Sequence, residues 1–370
     1  VSDVTIPGNI ELKWSTEVCE GALPTAPVTA DGLTFVADRS GAIQAFDQDG
    51  ESLWKQYTGG PIYYAPTVAK NRVFVGSADG RVYAFSAADG GFLWSYRVGP
   101  SAERIPVFDR LISAWPVSGG VAVQNGTVYA AAGITHYAVT DVVALDAESG
   151  KLKASNYYYG TLEEEVNNGI SLQGELRIVD NELQFLAGGV YETARYDLDS
   201  LECLNQPRKQ VNSQFRTAFY PYYPSYGKYV SLDYECADGC SLSHDASYEG
   251  SQFVNLARMP ALPAGAPRPQ KEAARWVRRG GKMPDPLWRD NANRRFTTFI
   301  VNDDVVVAGG HPDMQEDAPF LVAIDANTGD DIWIAPLPSV PVKGGASISH
   351  DGRILVTMEN GRLLCFEPKE

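Results

Sequence analysis

The stretch that decides the fold is residues 72–94, RVFVGSADGRVYAFSAADGGFLW. Three short apolar runs in it are separated by Asp79-Gly80 and by Ala87-Ala88-Asp89-Gly90. Asp-Gly between alternating apolar runs favours a tight hairpin turn, because both central residues of the preferred turn have a positive φ. The stretch therefore predicts an antiparallel meander of short strands, about five residues each.

The same pattern returns in residues 33–54 and 128–154, in a copy ending at Trp333, and in residues 354–368. Complete copies share Ala-x-Asp, then a Gly three or four positions on, then a Trp four positions later. Two copies fit fully: Ala45, Asp47, Gly50 and Trp54, and Ala323, Asp325, Gly329 and Trp333. The copy at Ala84, Gly90 and Trp94 has Ser86 in the Asp slot, the copy at Ala144 lacks the Trp, and the last copy has Cys365 in the Ala slot.

Repeats of roughly 40 to 50 residues with four strands each are typical of a β-propeller, in which neighbouring blades bury one another's apolar faces. We expect each indole to lie across the boundary to the next blade, beside a small residue, with its N–H bonded there. Trp14 stands in an unpaired N-terminal strand, and the last repeat lacks its fourth strand. The sequence therefore predicts that the N-terminal strand closes the ring, with four docking tryptophans: Trp14, Trp54, Trp94 and Trp333.

The blade count predicted is seven, with eight open if a second blade lies in residues 260–294. One of the seven is a degenerate blade at residues 228–256. We expect a single domain over residues 1–370. Its regular spacing is broken by four insertions, where binding sites on propellers usually lie: residues 97–114, 156–169, 205–227 and 259–295.

The repeat motif resembles the tryptophan-docking repeat of the pyrroloquinoline-quinone (PQQ) propellers. That group includes quinoprotein dehydrogenases and the non-enzymatic propeller lipoprotein of the outer-membrane β-barrel assembly machine. Secreted PQQ-like repeat proteins resemble the chain more closely, on LISAWPV at residues 111–117 and on VAGGHPD at residues 307–313. The resemblance implies a propeller that is periplasmic or secreted, with its leader outside this chain.

Composition excludes several partners. The net charge of −15 argues against binding to nucleic acid or to an anionic membrane. No run of 18 apolar residues is present to span a bilayer.

Among five cysteines, Cys236 and Cys240 are spaced to close a small loop in an oxidising compartment; whether they are bonded is left open.

The sequence predicts neither a metal nor a cofactor. Quinoprotein dehydrogenases hold their quinone under a disulfide of two adjacent cysteines, and this chain has no Cys-Cys pair. It also has no C-x-x-C-H haem motif and no pair of histidines at metal-ligand spacing. A quinoprotein oxidoreductase is the least favoured interpretation, because fold alone does not carry function.

Five residues are candidates for catalysis, since Tyr or His moves protons and Arg neutralises a uronate in propeller lyases. The alternative is that they only tie loops to the rim. They are His136, Tyr137, Tyr191, Arg195 and His311.

Two insertions predict ligand binding. One carries a dense aromatic loop, and residues 268–295 carry nine Lys or Arg against three acidic residues, with Trp276 and Trp288 interleaved. These loops either face a ligand or pack on the protein's own body. The ligand-binding candidates are Tyr220, Tyr222, Tyr223, Trp276, Arg278 and Arg279.

The favoured function is a non-catalytic extracytoplasmic binding or scaffold module that engages a protein or an anionic polysaccharide through its loop-bearing face. The alternative is an enzyme on glycans, most plausibly a lyase on an acidic polysaccharide.

Overall fold

The computed structural model describes residues 5–107, 110–134, 140–157, 170–187, 193–205, 228–245, 254–261 and 285–369. All the regular elements in these ranges are β-strands, which confirms the predicted all-β class. The chain divides into two compact units: unit 1 comprises residues 1–17 and 227–370, and unit 2 comprises residues 18–226. The single domain expected from the sequence stays a prediction. In the described ranges we find no helix with the length and apolar character needed to cross a membrane.

Strand β1 (Ile10–Glu17) belongs to unit 1. The strands of unit 2 are β2 (Val28–Ala30), β3 (Leu33–Ala37), β4 (Ala42–Phe46), β5 (Ser52–Tyr57), β6 (Thr67–Ala69), β7 (Arg72–Ser77), β8 (Arg81–Ser86), β9 (Phe92–Arg97), β10 (Arg104–Val107), β11 (Arg110–Ser113), β12 (Val121–Gln124), β13 (Thr127–Ala132), β14 (Asp141–Asp146), β15 (Leu152–Asn156), β16 (Arg177–Val179), β17 (Glu182–Leu186) and β18 (Thr193–Asp197). The remaining strands of unit 1 are β19 (Leu232–Glu235), β20 (Ser241–Asp245), β21 (Val254–Met259), β22 (Trp288–Arg289), β23 (Arg294–Val301), β24 (Val305–Pro312), β25 (Phe320–Asp325), β26 (Asp331–Pro336), β27 (Pro341–Ile348), β28 (Ile354–Met358) and β29 (Arg362–Pro368).

Consecutive strands pair antiparallel, so the sheets are meanders. Unit 2 contains the sheets β2–β5, β6–β9, β12–β15 and β16–β18, and unit 1 contains β19–β22, β23–β26 and the sheet formed by β27–β29 with β1. Among the described residues these are seven sheets of three or four strands, which agrees with the seven predicted blades. A separate two-stranded hairpin, β10–β11, lies in the insertion predicted at residues 97–114.

The tight turns with two positive φ angles lie elsewhere than the sequence predicts. Ser77 pairs with Arg81, so the turn at Asp79-Gly80 has three residues and only Gly80 has a positive φ, 88°. The two-residue turn predicted there is therefore wrong. Such a turn instead joins β6 to β7, where Lys70 and Asn71 have φ of 49° and 60°. Asp79 fixes its own turn by accepting a hydrogen bond from the Arg81 N–H.

In unit 2 the indoles of two outer strands reach the next sheet. Trp54 donates from Nε1 to the carbonyl of Ala87 at 3.0 Å, and its ring covers Gly90 so closely that an added Cβ would lie 2.6 Å from it. Trp94 donates in the same way to Ala147 at 3.3 Å and covers Gly150. The indole N–H is thus bonded and the ring buried in one contact.

The N-terminal strand completes the last sheet of unit 1. Strand β1 pairs antiparallel with β29, and Trp14 lies opposite Cys365, the residue in the small-residue slot. Trp333 of the preceding sheet donates to the carbonyl of Pro7 at 3.0 Å. The closure of this sheet by the N-terminal strand, predicted from the missing fourth strand, is confirmed.

The degenerate blade extends further than predicted. Its sheet, β19–β22, ends with Trp288-Arg289, residues that the sequence interpretation placed in the insertion at 259–295. Trp288 is a docking indole: it donates to the carbonyl of Ala326 at 3.0 Å and covers Gly329. Its assignment to a loop is therefore wrong. The long insertion before it hid the repeat, because the usual spacing to the Trp is lost.

In this sheet the small-residue slot holds an arginine. Trp288 lies opposite Arg258, whereas Trp54 lies opposite Ala45. Arg258 is 5% exposed and donates to the carbonyl of Ala326 at 2.8 Å and to the carboxylate of Asp238 at 2.7 Å. A buried charge is tolerated here because it is bonded on both sides.

Candidate functional site

The hairpin β10–β11 lies in the first of the four predicted insertions. It is a separate two-stranded element and belongs to none of the seven larger sheets of the described residues. Because side chains alternate across a strand, one side carries Ile105, Val107 and Ile112. These pack with Tyr63 against Ala78 and Ile134 of the sheets beneath. The hairpin is thus seated on one end of unit 2 by an apolar contact.

Backbone hydrogen bonds hold the hairpin in this position. The N–H of Ser113 donates to the carbonyl of Ala78 at 2.7 Å, and the N–H of Ala114 donates to that of Glu103 at 2.9 Å. Arg110 donates from its guanidinium to the carbonyl of Arg39 at 2.6 Å. The described part of the hairpin is therefore tied both to the sheet β6–β9 and to the turn after β3.

The outward side of the hairpin is basic and apolar. Arg104 and Pro106 are exposed on it, and Leu111 is 61% exposed opposite Pro106. Arg110 pairs with Val107 and therefore lies on the packed side. We call Arg104, Pro106 and Leu111 the hairpin patch. Arginine is enriched among the residues that carry most of the energy of protein interfaces.

Tyr63 lies beside the base of the hairpin and is followed in the chain by Tyr64. The guanidinium of Arg39 lies 5.6 Å from the centre of the Tyr63 ring. Burial raises the pKa of Tyr63 to about 12, against the lowering effect of Arg39 and Arg110. Burial also raises the pKa of Tyr64, and the negative charge of Glu175 adds to that rise. Both phenols are therefore neutral at physiological pH.

Asp141 is a buried carboxylate that the sequence interpretation missed. It begins β14 opposite Ala132 and is 3% exposed. Burial raises its pKa to about 7. Strand β14 reads DVVALD, and an acid opening an apolar strand is the sequence signal that marks it.

The structure describes two of the five predicted catalytic residues, Arg195 in unit 2 and His311 in unit 1. His136, Tyr137 and Tyr191 lie outside the described residues. Arg195 lies within β18 opposite Gln184, and its guanidinium forms a two-pronged ion pair with Glu182. This contact favours the alternative in which Arg195 has a structural role, and its catalytic role stays a prediction.

His311 is held inside a polar network of unit 1. It is 1% exposed, and Nδ1 lies 2.8 Å from the carbonyl of Pro312, which can only accept. In the neutral ring Nδ1 therefore carries the proton, and Nε2 accepts from the Tyr229 hydroxyl at 3.0 Å. The guanidinium of Arg295 lies 5.3 Å from the Tyr229 ring centre and pairs with Asp313. The burial of His311 favours the rim-tying alternative over contact with a substrate.

The predicted ligand-binding residues all lie outside the described ranges, in 206–227 and 262–284. They are Tyr220, Tyr222, Tyr223, Trp276, Arg278 and Arg279. In the described part of the chain no three His, Cys, Asp or Glu side chains are grouped to hold a metal ion. The chain also does not supply the adjacent cysteines that hold the quinone in the dehydrogenases that its repeat resembles.

The fold and its docking indoles define a β-propeller whose repeat resembles that of the PQQ propellers, as the repeat motif predicts. Residues 11–113 match the sequence profile of the family described as outer membrane protein assembly factor BamB. The match covers the first two docking tryptophans of unit 2 and the hairpin β10–β11. The predicted resemblance to PQQ-like and assembly-factor propellers is thereby confirmed.

Relatives from several bacteria carry that name. BamB of Burkholderia pseudomallei is 33% identical over 114 residues, 30% of this chain and 28% of the relative. BamB of Yersinia pestis is 29% identical over 200 residues, 51% of this chain and 47% of the relative. The matched regions therefore span less than half the length of these relatives.

A solved structure shows the same fold. The quinohemoprotein alcohol dehydrogenase of Pseudomonas putida superposes with a TM-score of 0.60 over 97% of this chain and 76% of its own, at 13% identity. At that identity the likeness supports the architecture alone.

Proposed function

We propose that the chain is an extracytoplasmic scaffold that binds a protein partner through the loop end of unit 2, with the hairpin patch at the centre of the contact. The single observation that carries this is the hairpin itself. Its apolar side is packed against Ala78 and Ile134, so its outward side presents Leu111 and Arg104 in a fixed position. A rigid anchor loses little conformational entropy on binding.

The partner chemistry follows from charge. Arg104 gives the hairpin patch a local positive charge on an acidic chain. An acidic segment with an apolar side chain would be attracted to the patch and repelled by much of the remaining surface. The relatives named as assembly factors for outer membrane proteins support a protein partner and a location outside the cytoplasm. No described contact favours a polysaccharide.

The experiment places a photo-crosslinking amino acid at position 111 in the full chain and exposes it to the extracytoplasmic fraction of the source organism. The matched control carries the same group at Ile334, which is 59% exposed against 61% for Leu111 but lies on the outer strand β26. We expect one protein to be crosslinked at position 111 and not at position 334.

The variants Leu111→Asp and Arg104→Glu should each reduce capture of that protein at least about tenfold, since each 1.4 kcal/mol of lost contact is a factor of ten. Ile334→Asp should leave capture unchanged. Equal capture by Leu111→Asp and Ile334→Asp would refute the proposal, and binding of a uronate-rich glycan at position 111 would replace it with the polysaccharide alternative.

A further inference from the structure

Two cysteines face each other across the turn between β19 and β20. The N–H of Cys236 donates to the carbonyl of Cys240 at 2.9 Å, and the N–H of Gly239 donates to the carbonyl of Cys236 at 2.9 Å. The Cys240 N–H donates to the Asp238 carboxylate at 2.9 Å, so a single backbone hydrogen bond joins the two cysteines beyond the last ladder pair, Glu235 and Ser241. Gly239, with φ of 80°, lets the chain reverse within three residues.

The two cysteines are close enough for a disulfide to be considered, because their backbones are joined directly by a hydrogen bond across a reversal of three residues. Disulfides join Cα atoms about 4.4–6.8 Å apart. Both cysteines pack at the apolar cluster that includes Leu242 and Leu256, so their side chains point to the same part of the sheet. In the structure both thiols are free.

Exposure distinguishes the two sulfurs. Cys236 is 4% exposed, and burial raises its pKa, against the lowering effect of Arg258. Cys240 is half-buried. Cys240 is therefore the thiol that an oxidant reaches first.

We propose that Cys236 and Cys240 are an oxidative modification site, at which exchange with an external disulfide forms an intrachain Cys236–Cys240 bond. The inference rests on the proposed extracytoplasmic location for its oxidant, a disulfide such as glutathione disulfide or that of a thiol oxidoreductase. The Cys240 thiolate attacks one sulfur of that disulfide and releases one thiolate. Cys236 then loses its proton to solvent, attacks the Cys240 sulfur and expels the second thiol. Two protein thiols are oxidised, and one external disulfide is reduced to two thiols.

The bond would fasten the turn that carries Asp238, the carboxylate partner of Arg258. Arg258 in turn donates to the carbonyl on which Trp288 docks. Oxidation would thus stabilise the docking contact of Trp288, in the sheet where Arg258 occupies the small-residue slot. The closed loop is short, so the stabilisation from lost chain entropy is small.

The test equilibrates the full chain with reduced and oxidised glutathione in a ratio typical of an oxidising compartment. The sample is quenched in acid, unfolded and alkylated, and the alkyl groups are counted by intact mass. We expect three of the five cysteines to be alkylated. The peptide that contains Cys236 and Cys240 should carry no alkyl group and be two hydrogen atoms lighter. Prior treatment with a strong reductant should restore all five.

Two variants control for the other thiols. In Cys240→Ser all four remaining cysteines should be alkylated. Cys203→Ser removes a thiol that is equally half-buried, and in that variant two cysteines should still form the disulfide while the other two are alkylated. Five alkylated thiols in the equilibrated wild type, or a bond that joins other cysteines, would overturn the proposal. Thiol counts do not depend on crosslinking at position 111, so the two proposals fail separately.

Discussion

Trp54 and Trp288 dock in the same way although the residues opposite them differ. Each indole donates at 3.0 Å to an alanine carbonyl of the next sheet, and each covers a glycine at positive φ. Opposite Trp54 is the buried Ala45, and opposite Trp288 is Arg258. The difference teaches that the receiving sheet, through its carbonyl and glycine, fixes the docking. The residue opposite the indole can therefore be either Ala or Arg, provided that its own polar groups are hydrogen-bonded.

The largest expected effect tests the shared part of this comparison. Gly90→Ala and Gly329→Ala should each lower the free energy of unfolding by about 3 kcal/mol, from the cost of a side chain at positive φ and from displacement of the indole. In both, the new Cβ would lie 2.6 Å from the indole. Gly21→Ala, with φ of 66° and open space around it, is the matched control and should cost only about 1 kcal/mol.

Urea unfolding of the full chain, followed by tryptophan fluorescence, measures these differences. If Gly329→Ala lowered the free energy of unfolding no more than Gly21→Ala, the docking of Trp288 would not depend on its glycine. The docking contacts of Trp54 and Trp288 would then not be equivalent.

The comparison also concerns buried charge. Arg258 has two partners, whereas Asp141 is buried with a pKa raised to about 7. The unfolded chain releases the Asp141 proton near pH 4, but the folded chain keeps it until about pH 7. The folded state therefore binds the extra proton between these values, and stability falls as pH rises from about 4 to 7 and is level above.

Asp141→Asn should remove this part of the pH dependence and raise the free energy of unfolding at pH 8 by about 2 kcal/mol relative to the wild type. Unfolding measured at several pH values between 4 and 8 checks it. A variant whose stability falls with pH as steeply as that of the wild type would show that Asp141 is ionised in the fold throughout.

The smallest effect separates the two docking sites. Trp54→Phe leaves the Ala87 carbonyl without the indole bond, whereas Trp288→Phe leaves Ala326 bonded to Arg258. The first change should cost about 1 kcal/mol more than the second. Adding Arg258→Met to Trp288→Phe should cost more than the sum of the two single changes, because only the double variant leaves the Ala326 carbonyl unpaired. Simple additivity would mean that Arg258 does not share the docking role.

The repeats made much of the fold predictable, because Ala45, Gly50 and Trp54 stand at spacings that recur along the chain. The hairpin patch was predictable only as an insertion. Its alternation, Arg-Ile-Pro-Val and Arg-Leu-Ile-Ser, predicts a hairpin, but which side packs depends on Ala78 and Ile134, which are distant in sequence. The docking role of Trp288 could not be found by spacing, because an insertion separates β21 from β22.

By itself the sequence determined the meander units, their number and the N-terminal strand as the missing partner of the last sheet, since turn residues and apolar periods are local properties. Only the tertiary structure decided that Arg258 can occupy a small-residue slot, that Asp141 is buried and that Leu111 faces outward. Each depends on which neighbours surround a side chain after the sheets pack, and burial and partner distance are not encoded in any local spacing.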